Sequence, residues 1–144
     1  MKGMLTFFLA VVFFANSENV VKEFHELNDR KAEQVFVKKY QNDTSATVQA
    51  YVCAVTMKQA AYTINPISKL KIFNNSKRRI DLLIKEHPDN IDLRYVRLLL
   101  QEETPSILGY NEYIEEDKEF LIKKFQSESV SKDLKAYIHK NTSL

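Results

Sequence analysis

ATVQAYVCAVTMKQAAYTI, residues 46–64, is apolar around most of the circumference that it would have as an α-helix. Large side chains such as Val48, Tyr51 and Val55 are interspersed with five alanines, and Ser45, just before the segment, is a favoured N-cap residue. A surface helix buries one apolar stripe, whereas a helix that is apolar on most sides is buried among others. We therefore predict a central helix, with small side chains that let its neighbours approach closely.

Shorter amphipathic segments flank this central helix on both sides. Apolar residues recur there at intervals of three and four, and no segment alternates as a half-buried β-strand does. Val35, Leu70 and Ile122 each belong to such an apolar stripe and are expected to face the core. Only two glycines and three prolines interrupt the chain. We predict an all-α fold of six or seven helices packed as antiparallel hairpins, forming a compact bundle or a tetratricopeptide-like array.

Capping residues mark the predicted helix boundaries. Asp29, Asn65 with Pro66, and either Asp89 or Asn90 are placed to begin helices. Thr104-Pro105 is expected to end the helix of about 91–102, because proline cannot continue it. Whether residues 66–87 form one helix or two is left open. The other predicted elements are helices at about 18–28, 112–126 and 131–140, a helix between Asp29 and Tyr40, and a loop at 105–111.

Residues 1–17 have the features of a secretory signal peptide. Lys2 precedes an uncharged, mostly apolar run at 4–15, and small residues at Ala15 and Ser17 suit a cleavage site. A membrane-spanning helix needs about 20 apolar residues, and this run is shorter. We expect cleavage after Ser17, leaving one helical domain at 18–144 that is exported to the periplasm. The alternative is an uncleaved N-terminal helix that tethers the protein to the membrane.

Charge and cysteine content limit the possible partners. The formal net charge of +2 is too small to indicate nucleic-acid binding, and contact with the membrane is expected only transiently, through the signal peptide. The single cysteine, Cys53, cannot form an internal disulfide and lies among apolar residues, so a buried, inert thiol is predicted. A basic cluster is interpreted as a solvated helix face, or alternatively as a site for an anionic partner. It consists of Lys69, Lys71, Lys77, Arg78, Arg79 and Lys85.

Two resemblances bear on the fold and the location. Pro88, with Ser76, Ile80 and Leu83 before it, loosely resembles the end of a tetratricopeptide repeat, although Pro66 then falls inside the first helix of that repeat. Segment 65–123 also resembles a family of small, uncharacterised exported helical proteins of Gram-negative bacteria. The similarity is carried by Asn65-Pro66, Lys69-Leu70, His87-Pro88-Asp89-Asn90, Asp92-Leu93-Arg94-Tyr95-Val96-Arg97 and Gly109-Tyr110-Asn111. It implies a periplasmic, all-helical protein and no particular activity.

Arg94, Arg97 and Gln101 are the strongest candidates for a polar site. Their spacing places them on one helix face, expected to lie away from the inward side of that helix. One interpretation is a structural ion pair with downstream acids that holds the 105–111 loop on the bundle; the other is a groove for a small anion, since guanidinium groups suit carboxylate and phosphate. The candidates for either role are Arg94, Arg97, Gln101, Tyr110, Asn111 and Asp117.

Motifs for catalysis, metals or cofactors are not found in the sequence. The three histidines lie far apart without metal-ligand spacing, and two glycines do not supply a phosphate loop or a nucleophile elbow. The favoured hypothesis is a non-catalytic exported binding or scaffolding domain whose partner is another protein, with no cofactor. The alternatives are a small-ligand or anion carrier, or an enzyme, that uses the Arg94/Arg97 face, and a membrane-tethered protein.

Overall fold

The computed structural model describes residues 17–127 and 130–144, and within these ranges it contains seven α-helices and no β-strand. The all-α prediction is therefore confirmed. Short turns and loops join the helices, and two 3₁₀ turns, Ala60–Tyr62 and Ser106–Leu108, follow α3 and α5. The α-helices are α1 Ser17–His25, α2 Arg30–Tyr40, α3 Ala46–Gln59, α4 Pro66–Glu86, α5 Ile91–Glu103, α6 Ile114–Phe125 and α7 Lys132–Asn141.

Helix α3 lies at the centre of the fold, as the sequence predicts. Nine of its 14 residues are buried, and it contacts α1, α2, α4 and α5. It is shorter than expected, because the α-helix ends at Gln59 and the chain continues as the 3₁₀ turn Ala60–Tyr62. Cys53 is buried on this helix, and burial raises the pKa of its thiol to about 11. The burial and the raised pKa agree with the buried, inert thiol that the sequence predicts.

Three of the predicted caps form as expected. The side chains of Asp29, Asn65 and Asn90 accept hydrogen bonds from backbone N–H groups in the first turns of α2, α4 and α5. Each such cap contributes about 1 kcal/mol to helix stability. Ser45 occupies the N-cap position of α3, but its side chain makes no capping hydrogen bond. Residues 66–86 form one continuous helix, which answers the question that the sequence left open.

Three residues predicted to face the core are exposed instead. Val35 is 60% exposed because α2 packs mainly against α3, and the buried stripe of α2 runs through Glu33, Phe36 and Tyr40. Ile122 is 49% exposed, since Asp117 and Leu121 form the buried side of α6. Leu70 is 51% exposed because it lies at a groove described below. Periodicity therefore identified the helices but placed parts of their buried stripes incorrectly.

The predicted signal peptide lies outside the described residues, apart from Ser17, which begins α1. The prediction of cleavage and export stays a prediction. No helix within 17–127 or 130–144 combines the length and the apolar character that crossing a membrane requires.

Candidate functional site

A buried ion pair joins α5 to α6. Arg97 donates two hydrogen bonds to the carboxylate of Asp117, from Nε to Oδ2 and from Nη2 to Oδ1, each at 2.7 Å. The Arg97 side chain is 4% exposed and that of Asp117 is fully buried. A two-pronged arrangement of this kind is the strongest form of arginine–carboxylate contact, because both hydrogen bonds are charge-assisted.

The neighbouring residues complete a network around this pair. Arg94 Nη1 donates to Asp117 Oδ1 at 3.0 Å and also contacts Glu116. Gln101 Nε2 donates to Asp117 Oδ2 at 3.2 Å, and its Oε1 accepts from the backbone N–H of Tyr113 at 2.8 Å. Gln101 thereby links the buried carboxylate to Tyr113, the residue that immediately precedes α6. We call Arg94, Arg97, Gln101, Glu116 and Asp117 the arginine cluster.

Contacts across the arginine cluster fix the direction of α6 against α5. Going along α5, the guanidinium of Arg94 lies over the Phe120 ring, Arg97 binds Asp117, and Gln101 binds Tyr113. Later positions on α5 thus contact earlier positions on the α6 side, so the two helices form an antiparallel hairpin. This geometry favours a structural role for the cluster.

Electrostatics in the cluster reflect its burial. Burial lowers the pKa of Arg97, but hydrogen bonding and the charge of Asp117 outweigh it and raise that pKa above its usual value. A hydrogen bond from Arg94 lowers the pKa of Glu116. Asp81 of α4 lies 3.4 Å from Arg97 Nη1, and burial raises its pKa against the opposing charge of Arg97. Arg97 therefore stays cationic, and the guanidinium groups of Arg94 and Arg97 are both already bound to carboxylates.

The face predicted for this cluster was wrong. We expected Arg94, Arg97 and Gln101 to lie on an exposed side of the helix, yet Arg97 and Gln101 are buried. The reason is that residues 95–101 of α5 are all buried, so this helix has hardly any solvent face. Tyr110 is also buried, against the Phe73 ring and the Lys77 ammonium, and its hydroxyl has no hydrogen-bond partner within 17–127 and 130–144.

The candidate list omitted three residues of the network, Asp81, Tyr113 and Glu116, and it included two residues outside the network, Tyr110 and Asn111. Asp81 comes from a different helix, and Tyr113 stacks its ring 4.1 Å from the Arg97 guanidinium. No sequence spacing links either residue to Arg97. Asn111 is exposed in the loop before α6, and the structure does not bring it to the cluster.

A separate apolar groove of about 700 Å³ is lined by none of the residues of the arginine cluster. It lies between the end of α3, the start of α4 and the end of α5, and it is closed at one side by α1 and α7. Small side chains at Ala54, Ala60 and Ala61 line it and leave volume that larger residues would fill. Its larger apolar lining residues are Phe24, Leu27, Val55, Met57, Leu70, Phe73, Leu99, Leu100 and Leu108.

The polar groups of the groove carry charges of both signs. Lys58 and Lys69 contribute ammonium groups, and Glu103 contributes a carboxylate. Lys58 also binds the buried Glu33 at 3.0 Å, which fixes the lysine at the end of α3. Burial raises the pKa of Glu103, and the charge of Lys58 opposes that change. The groove is thus an apolar trough with a few charged groups.

Several apolar residues that line the groove, or lie near its lining residues in the chain, are exposed. Leu70 and Leu108 line the groove and are 51% and 45% exposed, while Ile64 and Ile107, close to them in the chain, are 98% and 92% exposed. Scattered exposed apolar residues are normal, but a contiguous apolar patch marks an interaction surface. Isoleucines in non-helical segments were the sequence signal that could have indicated this surface.

His25 forms part of the groove wall and joins three helices. Its ring stacks on Tyr137 of α7 at 4.0 Å between centroids, and its Nε2 lies 3.1 Å from the Tyr95 hydroxyl of α5. Burial, with a smaller contribution from the charge of Lys140, lowers the pKa of His25 to about 4. The neutral imidazole therefore holds α1 against the bundle at neutral pH.

We expect the free energy of unfolding to fall as the pH drops from 6.5, the ordinary histidine pKa, to about 4. In this window the unfolded chain binds the His25 proton and the folded chain does not, so protonation favours unfolding. Since His25 is only partly buried, the loss should be on the order of 2 kcal/mol. Urea unfolding across this pH range measures it. A His25→Phe variant that kept the whole pH dependence of the natural protein would contradict the assignment.

Comparisons with known proteins give no relative for this chain. No protein-family model, curated protein or solved structure matches it. Within the described residues, no three His, Cys, Asp or Glu side chains are grouped so that they could hold a metal ion.

Proposed function

We propose that this protein is a non-catalytic binding protein that holds an amphipathic helix of a partner protein in its apolar groove. The observation that carries the proposal is the groove itself, about 700 Å³ in volume and lined largely by apolar side chains. Insertion of the apolar face of a helix into such a groove is a recurring mode of protein recognition. Export to the periplasm stays part of the proposal, supported by the features of residues 1–17.

Two features favour a helix over a small molecule. Leu70 and Leu108 line the groove and are partly exposed, and a fully enclosed small ligand would leave them in water. Lys58 and Lys69 lie at the groove together with Glu103, so charges of both signs are available to the polar flanks of a helix. Amphipathic helices carry apolar anchors on one face and charged residues beside them, which complements this arrangement.

The test uses a synthetic amphipathic helical peptide with leucines at positions i, i+3, i+4 and i+7, and a scrambled peptide of the same composition. Fluorescence anisotropy with the full chain should show binding of the amphipathic peptide only. Leu70→Lys should weaken that binding at least about tenfold, because it places a charge where an apolar anchor is desolvated. Val35→Lys is the matched control, since Val35 is equally apolar and exposed but lies outside the groove.

Two results would overturn the proposal. Equal binding of the scrambled peptide, or equal weakening by Val35→Lys, would show that no specific groove is used. A single-chain fatty acid that binds with one-to-one stoichiometry and is sensitive to Leu70→Lys, with no peptide binding, would instead support a small-ligand carrier. That second function is favoured by the groove volume, which falls in the range of about 300–1,000 Å³ found for small-molecule sites.

A further inference from the structure

A continuous exposed stripe runs along α4 on the side opposite to the core. Its members follow one another at intervals of three and four, so they share one face of the helix. All are exposed, and the core residues Phe73, Ile80 and Ile84 lie on the other side. The α4 stripe consists of Ile67, Lys71, Asn74, Arg78, Leu82 and Lys85.

The α4 stripe carries positive charge without internal compensation. Helix α4 contains six basic and two acidic residues, although the net charge of the whole chain is only +2. Of the two acids, Asp81 faces the buried Arg97, and Glu86 lies at the last residue of the helix. Within the described part of the chain, no acidic group lies within salt-bridge distance of Lys71, Arg78 or Lys85.

Two large apolar side chains accompany these cations. Ile67 is 79% exposed and Leu82 is 46% exposed, and they are four or more turns apart on the same stripe. A solvated helix face has no need of large apolar residues between its lysines and arginines, whereas a membrane surface binds both kinds of side chain.

We propose that the α4 stripe is a docking surface for a bilayer that contains anionic phospholipids. Lys71, Arg78 and Lys85 would lie among lipid phosphates, and Ile67 and Leu82 would enter the boundary between headgroups and acyl chains. Charge complementarity selects this partner, since each basic residue near an anionic bilayer adds to the affinity. This proposal departs from the sequence-based expectation that the membrane is contacted only transiently, through the signal peptide.

The experiment measures co-sedimentation of the full chain with vesicles of phosphatidylcholine alone and of phosphatidylcholine with phosphatidylglycerol. We expect binding to the anionic vesicles, weakened at high ionic strength because salt screens the attraction. The triple variant Lys71→Gln, Arg78→Gln, Lys85→Gln should lower the partition coefficient about a hundredfold. Residues 1–16 are the same in every variant, so differences between variants report on the stripe alone.

A charge-matched control separates the stripe from diffuse electrostatics. The triple variant Lys31→Gln, Lys38→Gln, Lys123→Gln removes three exposed lysines of α2 and α6, and it should bind like the natural protein. Equal loss in this control, or equal binding to both vesicle compositions, would overturn the proposal. Tighter binding to a single-stranded oligonucleotide than to the vesicles would overturn it as well. Ile67→Ser with Leu82→Ser should weaken vesicle binding while its dependence on salt is unchanged.

Discussion

Replacement of Arg97 by alanine is expected to lower the free energy of unfolding by about 3–5 kcal/mol, because it leaves the carboxylate of Asp117 buried with its main partner removed. The fully buried Asp117 carboxylate then has, among the residues that the structure describes, only Arg94 and Gln101 as hydrogen-bond partners. Urea unfolding at neutral pH, followed by circular dichroism, measures the change. A loss smaller than about 1 kcal/mol would contradict the role assigned to the pair.

Two companion variants separate burial from charge. Lys22→Ala removes an ion pair with Glu26 in which both side chains are more than 60% exposed, and it should cost at most about 1 kcal/mol. The double variant Arg97→Met, Asp117→Leu should recover much of the loss, because apolar residues of similar size can replace a buried ion pair. Inorganic phosphate should raise the free energy of unfolding of the natural protein no more than it raises that of Arg97→Ala. A larger increase for the natural protein would favour the anion-site hypothesis.

The helices and several of their ends were predictable because they depend on local sequence. Asp29 and Asn65 cap the helices that they were predicted to cap, and of the two candidates for α5, Asp89 and Asn90, the cap is Asn90; each cap is formed within three residues of its own position. The central place of α3 was predictable for a related reason. A helix that is apolar on most sides needs neighbours on most sides, whichever elements supply them.

The arginine cluster was predictable only in part. The spacing of Arg94, Arg97 and Gln101 showed that they share a face, but not whether water or protein covers that face. Burial depends on where α6 packs, and the sequence gives no measure of that position. An arginine was expected outside because an isolated buried charge is costly; a carboxylate from another helix removes most of that cost. Asp81, from α4, could not be placed there by any local rule.

The groove was not predictable, because it arises from residues that do not contact one another. The alanines at 54, 60 and 61 were expected to let neighbouring helices approach closely, yet they line an open volume. Close approach would require another helix over the end of α3, and the described elements leave that place uncovered. Leu70 was predicted to face the core because its spacing is that of a buried apolar stripe. That spacing does not show whether another element covers the residue.

Tyr51 is the residue of α3 whose truncation should cost most. Its side chain is fully buried, its ring lies 5.0 Å from the Phe24 ring, and its hydroxyl donates to Asp92 at 2.7 Å. Tyr51→Ala opens a cavity at the centre of the bundle and should lower the free energy of unfolding by about 3–5 kcal/mol. Asp92, whose pKa is raised by burial, also loses its hydrogen-bond partner in this variant.

The matched control is Tyr62→Ala, in the 3₁₀ turn that continues α3. Tyr62 is 39% exposed and its described ring contact is with Arg30, so its removal should cost at most about 1 kcal/mol. Tyr51→Phe isolates the hydroxyl and should cost about 1–3 kcal/mol, because the buried acceptor loses its donor. If Tyr51→Ala were no more destabilising than Tyr62→Ala, α3 would not be the central helix on which the other helices pack.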